Sequence, residues 1–286
     1  MFAYIGSMPQ TAFLTASALR RELSLRALRH ARLHPHESTY STIPSIIYRE
    51  QAPGTHANFL TPSYRRIVAD PAWRARLSKT YTASARVPRS HDRHRAELDC
   101  ANSSDALLMN LFCYPGLLRR PAVCALLNID PGLRPEFGVR AHLTMHRNEI
   151  DRTEIDMRLG PLLVEAKLTE GSFGTATRDR VSRYLALEEV FNLDELPWKP
   201  GGRELAGYQL IRGILAAHAS NATFLLLCDQ RRTDLREQWF RVLSAIRSYP
   251  LRAGMALLSW QELAATMPPT VKKFLAEKYG IQTNSP

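Results

Sequence analysis

The chain has 286 residues, 45% of them hydrophobic, which is enough for one large domain or for a core with an appendage. Its 38 Lys and Arg against 27 Asp and Glu leave a net charge of +11 and a pI near 9.8. That excess favours a polyanionic partner, nucleic acid first, and no apolar stretch approaches the length that spans a bilayer. Four cysteines, Cys100, Cys113, Cys124 and Cys228, show no zinc-binding spacing. Cys113, Cys124 and Cys228 sit among apolar neighbours and read as buried free thiols, so the expected compartment is the cytoplasm.

Residues 1–45 carry Arg20, Arg21, Arg26, Arg29 and Arg32 with few acids. Leu19, Leu23, Leu25 and Leu28 form a loose apolar stripe that fits a helix from Ala16 to Leu33. A transit segment, a basic arm that touches DNA and a translated leader all fit this pattern, and a weakly ordered extension is expected. Ser, Thr, Pro and Gly then mark an irregular connection from His36 to about Pro62. Residues 46–100 are expected to be a basic, largely helical segment packed on the core, with helical turns at Tyr64–Ala69 and Pro71–Lys79 and Asp70 as a cap. Tyr64, Trp73 and Tyr81 interleave with arginines there, which suits contact with a nucleic-acid backbone and equally a solvated helical face with Trp73 turned inward.

Asn102-Ser103-Ser104 starts a helix through DALLMNLFCYPG, apolar nearly all round and therefore buried. The helix macrodipole accounts for Asp105 at its start. Gly138–His146 alternates as a strand. Then comes TEIDMRLGPLLVEAKLTE, Thr153 to Glu170, in which two β-favouring runs flank Gly160-Pro161 and read as a hairpin. A two-residue turn sets Leu159 against Leu162, Met157 against Val164, Asp156 against Glu165 and Glu154 against Lys167. Period-two alternation gives Glu154, Asp156, Glu165 and Lys167 one face and Ile155, Met157, Leu162, Val164, Ala166 and Leu168 the other. Opposed carboxylates about 4.5–5.5 Å apart at Cβ repel unless a cation lies between them, and a hard divalent ion with oxygen ligands relieves that repulsion. An ordinary solvated hairpin, with Glu154 paired to Lys167 and Asp156 beside Arg158, shows the same alternation.

Asp156, the apolar run Leu162-Leu163-Val164 and Glu165-Ala166-Lys167 resemble the motif of the PD-(D/E)XK nuclease superfamily, with Ile155 where the name has proline. The resemblance covers roughly Ser103 to Asp229. It implies a restriction-endonuclease-like α/β core of order α-β-β-β-α-β, a mixed sheet flanked by helices, within residues 101–286, with further helices after it. It implies an Mg²⁺-dependent endonuclease, with Mn²⁺ as a substitute, acting on DNA ahead of RNA. Asp156, Glu165 and the Ala166 carbonyl would hold the metal, and Lys167 would serve the reacting water and phosphate. Glu154 and Asp105, or Glu97 just upstream, are the candidate accessory acids. The alternative from another class is a non-catalytic nucleic-acid-binding protein with a nuclease-like fold.

Further along, Ala176–Phe191 reads as a helix with Arg178, Arg180 and Arg183 in its first half, available to phosphate or to solvent. Asn192–Gly202 is a loop, and Glu204–His218 is a helix on which Tyr208 and Arg212 are surface neighbours. Gln209 resembles the glutamine that many nucleases of this kind carry on the helix after the lysine strand, where it orients DNA or water. Arg178, Arg183, Tyr208 and Arg212 are thus the candidate nucleic-acid contacts. Ala222–Cys228 is a continuous apolar run that fits a central strand. Helix, strand and helices follow, and Met255–Leu258 is expected to extend the sheet at an edge.

Overall fold

The computed structural model describes residues 14–39, 45–80, 95–152 and 154–283. Tyr81 and the basic run around it lie outside the described residues. Five strands form the central sheet: β1 (Glu136–Arg140), β2 (Glu154–Leu159), β3 (Leu162–Ala166), β4 (Thr223–Cys228) and β5 (Met255–Ser259). They lie side by side in chain order, antiparallel from β1 to β3 and parallel from β3 to β5. The tight β2–β3 turn places Gly160 at φ +59, a conformation that glycine adopts without steric cost, at its first position. Cross-over from β3 to the parallel β4 needs a long connection, and the chain supplies one with a helix in it.

The helices packed around this sheet include α1 (Ala16–Ala31), α2 (Thr61–Ala69), α3 (Ser104–Phe112), α4 (Tyr208–Ala219), α5 (Thr233–Ser244), α6 (Trp260–Ala265) and α7 (Pro269–Tyr279). Strand β4 explains the architecture. Phe224, Leu226 and Cys228 pack with α4 and α5 on one face, while Leu225 and Leu227 pack with α1, α3, α6 and α7 on the other. A strand covered on both sides has no polar face, hence its unbroken apolar sequence. Along the chain α3, β1, β2, β3, α4 and β4 follow one another with a helix at Pro121–Leu127 and short elements between Thr175 and Ala206 interposed, and β5 closes the sheet at its edge.

Four expectations need correction. The stretch from His36 to Pro62 is not simply irregular, nor is the segment from residue 46 helical at its start: His36–Ser38 pair with Ile46–Tyr48, and Glu50–Ala52 with Thr55–His56. Gly138–His146 is not one strand: β1 ends at Arg140, and Leu143–Thr144 pair instead with Ile150–Asp151. Ala176–Phe191 is not one helix: Thr175–Thr177 pair with Glu204–Ala206, leaving short helices at Arg178–Val181 and Leu187–Val190. The same pairing removes Glu204–Ala206 from the next helix, so α4 starts only after Gly207, whose φ of +76 turns the chain into it. In the last two cases pairing between distant segments overrides local helical spacing.

Within the arginine-rich start, residues 16–31 form α1, capped by the Thr15 hydroxyl and burying Leu19, Leu23, Ala27 and Ala31. Two of its arginines tie it to the rest of the fold. Arg20 donates to the Thr169 carbonyl at 3.0 Å and Arg26 to Ala276 on α7 at 3.3 Å. All four cysteines are free and buried, and burial pushes the thiols of Cys100, Cys113 and Cys228 up in pKa. Among the described residues no helix is long and apolar enough to cross a membrane.

Candidate active site

The β2–β3 ladder has the expected register, Leu159 to Leu162 and Met157 to Val164, and it ends there. Beyond it the strands part. The Asp156 carboxylate enters the gap and accepts the Ala166 N–H at 2.8 Å. β3 meanwhile stays with β4, the Lys167 N–H donating to Leu227 at 2.8 Å. Asp156 and Glu165 therefore meet in one cavity where strands separate, rather than as a hydrogen-bonded ladder pair. The expected alternation also breaks at Asp156. Ile155 packs with the α4 and α5 face, whereas Met157 packs with the α3 face. Opposite that break, between the Phe137–Met157 and Val139–Ile155 pairs, stands Gly138 at φ +65.

The cavity encloses about 340 Å³ and is lined by Asp156, Glu165, Ala166, Lys167, Glu154, Asp105, Glu97, Ser104, Glu170, Lys79, Gln209 and Arg212. Every member of the expected central set is here. Glu165 and Lys167 are each 5% exposed, with the Lys167 Nζ donating to Glu165 Oε1 at 2.6 Å. Burial works against the ammonium, but the charges of Glu165, then Glu170 and Asp156, outweigh it and hold the lysine pKa above its ordinary value. Asp156 goes the other way. Burial, then the charges of Glu165 and Asp105, raise its pKa well above the usual carboxylate range, against the pull of Lys167 and of the Ala166 N–H. Negative charge at Asp156 is thus under-compensated.

Glu154 does not take the expected place opposite Lys167. It bonds instead to Lys79 Nζ at 2.8 Å and Arg76 Nη2 at 3.0 Å, and the same two nitrogens reach Asp105 at 2.7 Å and 3.0 Å. Although burial opposes ionisation, the hydrogen bonds from Arg76 and Lys79 hold the Glu154 carboxyl at about 2. Asp105 is buried in this network and does more than face a helix end.

Gln209 lies at the cavity edge on the first turn of α4, exposed, its side-chain amide without a partner among the described residues. Arg212, one turn later, is ion-paired to Asp151 at 3.1 Å and stacks on Tyr208 with 5.1 Å to the ring centre. Tyr208 itself is buried, its hydroxyl bonded to Tyr184 at 2.7 Å and to Arg180 at 2.9 Å, so its ring is not open to a base. Arg178 and Arg183 lie outside the cavity. Arg178 stacks on Trp198 at 3.9 Å, and Arg183 pairs with exposed Glu149 at 2.8 Å.

Sequence reasoning missed Arg76, Lys79 and Glu170. Glu170 accepts from Ser104 Oγ at 2.7 Å and from the Leu168 N–H at 2.6 Å, tying the turn after β3 to the start of α3. Its position three residues after Lys167 was the available signal. For Arg76 and Lys79 the signal was the basic segment itself.

Among the described residues no three His, Cys, Asp or Glu side chains form a ready cation cage. Magnesium needs none, since it keeps several waters and is held by one or two carboxylates. Asp156 and Glu165, with Ala166 at the cavity wall, supply that sparse oxygen set, and the raised pKa of Asp156 is the repulsion a dication would relieve. The residues fit a hard divalent ion.

No curated protein and no solved structure matches the chain. A family model does, over residues 32–280, spanning the sheet, the cavity and the numbered helices from α2 to α7. The chain belongs to the nuclease family described as "Restriction Endonuclease associating with ARP".

Proposed function

We propose that the protein is a metal-dependent endonuclease that hydrolyses phosphodiester bonds in DNA. One observation carries this reading: Asp156, Glu165 and Lys167 converge in a cavity where β2 and β3 part, with the Lys167 ammonium 2.6 Å from Glu165. The order α3-β1-β2-β3-α4-β4 supports a restriction-endonuclease-like core, and the family's nuclease character agrees with it. The family's description names an association with ARP, which this reading extends to the chain.

Asp156, Glu165 and the Ala166 carbonyl would hold Mg²⁺, or Mn²⁺ in its place. Bound there, the ion supplies Lewis acidity against the phosphate and lowers the pKa of water. Lys167 is held charged by its acidic neighbours, which suits it to offset negative charge on the phosphate rather than to remove a proton. The unpartnered amide of Gln209 is placed to orient a substrate oxygen or a water. Arg212, fixed by Asp151 and Tyr208, offers a pre-positioned guanidinium to a phosphate. Arg178 and Arg183 belong, in this reading, to the outer path of the nucleic acid.

The test is plasmid cleavage in Mg²⁺ and in Mn²⁺, with wild type, Asp156→Ala and Lys167→Ala compared beside a salt-dependent DNA-binding assay. Cleavage by wild type alone, with binding kept in both variants, is the expected result. Binding without cleavage by wild type would favour a nucleic-acid-binding protein on a nuclease-like fold. Equal cleavage by all three would remove these residues from the chemistry.

A further inference from the structure

Beside the Asp156–Glu165 pair, the cavity holds a second pair of carboxylates with cations already between them. Lys79 Nζ stands 2.7 Å from Asp105 Oδ2 and 2.8 Å from Glu154 Oε1. Arg76 Nη2 reaches the same two oxygens at 3.0 Å each. A single nitrogen bridging one oxygen from each of two acids occupies the place that a bridging divalent ion would take. Two positive and two negative groups balance, so the cluster as a whole carries no surplus charge to attract phosphate.

The seat is built to keep the cations in it. Arg76 lies against the backbone of β1 where Gly138 has no side chain, and a Cβ there would come 2.0 Å from Arg76 Nη1. The side chains of Arg76 and Lys79 are 13% and 21% exposed, and that of Asp105 is 9% exposed. Lys79 is anchored by backbone pairing as well: its carbonyl accepts the Glu97 N–H at 2.7 Å, and Thr80 bridges Ala96. Asp105 is presented from α3, Glu154 from β2, and the cations from a third element. Three separate pieces of chain thus converge on one neutral cluster at the edge of the site.

We infer that Lys79 and Arg76 occupy the position of a second divalent cation, and so restrict this nuclease to one metal ion per active site. The inference rests on the reading that Asp156 and Glu165 hold an ion. In enzymes that use two ions, the pair sits about 3.5–4 Å apart and clamps both the attacking and the leaving oxygen. Here the fixed ammonium and guanidinium stand between the two acids without needing to be loaded, and they take Asp105 Oδ2 and Glu154 Oε1, the two oxygens that a bridging ion would share.

The experiment is calorimetric titration of the full chain with Mn²⁺ in the absence of DNA, with Mn²⁺ electron paramagnetic resonance as a second readout. Wild type should bind one ion per chain, lost in Asp156→Ala. The double variant Arg76→Met/Lys79→Met should bind two, with dipolar broadening from ions close together. Lys79→Met alone should take a second ion more weakly, and Lys79→Arg should stay at one. A double variant that keeps its circular dichroism and still binds one ion would overturn the inference while leaving the first site intact. Should the double variant not fold, a folded Lys79→Met with no second ion overturns it equally. Wild type binding two ions would also overturn it, and wild type binding none would sink the metal reading along with it.

Discussion

Two pairs of carboxylates line the same cavity, and they differ in what balances their charge. Asp105 and Glu154 are each held by both Arg76 and Lys79, and Glu154 is ionised far below the ordinary carboxylate range. Asp156 and Glu165 share one ammonium, from Lys167 on Glu165, and Asp156 is pushed the opposite way. Identical chemical groups a few residues apart on β2 therefore have different work. Charge left uncompensated in a buried place costs stability and is kept only where something else is meant to bind. Charge that is already matched holds a wall in place.

The sharpest way to break the comparison is to remove one member of each pair and measure cleavage. Glu165→Ala or Lys167→Met should lower plasmid cleavage by about 10²–10³-fold or more, the scale for losing a transition-state charge contact. Glu154→Gln should lower it much less, and an equal loss would erase the distinction. The next effect is on stability. Gly138→Ala puts a side chain at φ +65 and against the Arg76 guanidinium. It should cost on the order of 1–2 kcal/mol in denaturant unfolding, from left-handed strain, and release Arg76 from its seat.

A gain is expected at Asp156. Because its folded pKa is raised, its ionised form weighs against the fold at neutral pH, and its favourable contribution is lost as pH rises through that raised value. Asp156→Asn keeps an acceptor for the Ala166 N–H and removes the charge. In EDTA it should melt later by ~2–4 °C, about 1 kcal/mol for a chain of this size, while abolishing cleavage. An earlier melt would mean that the acid is already balanced. The smallest effect lies at Glu154, with the opposite sign. Its pKa is lowered from 4.5 to about 2, so its contribution is complete above about 4.5 and is lost as pH falls from there toward 2. Glu154→Gln should melt earlier than wild type at neutral pH, with the acid limb flattened in that window so that the two curves converge toward pH 2.

The hairpin and its acids were legible because everything needed lies within Thr153–Glu170. A tight turn fixes register, and the register brings Asp156 near Glu165. Strand β4 was equally plain, since burial on both faces leaves an unbroken apolar run. What partners Glu154 was not legible. Arg76 and Lys79 lie 78 and 75 residues away along the chain, and nothing local distinguishes them from the neighbouring surface arginines. The parting of β2 from β3 was hidden for a related reason. It depends on β4 drawing Lys167 away and on Gly138 in β1, both non-local to the hairpin. Tyr208 looked like a surface neighbour of Arg212 on a helix, yet the turns before α4 bury it against Tyr184.

Diffraction from crystals soaked in Mn²⁺ and recorded at the manganese edge tests the central claim most directly. The account predicts one anomalous peak per chain, between the Asp156 and Glu165 carboxylates and beside the Ala166 carbonyl, missing in Asp156→Ala. A peak at Asp105 and Glu154 instead, or no peak from a preparation that cleaves DNA under the same conditions, would contradict it.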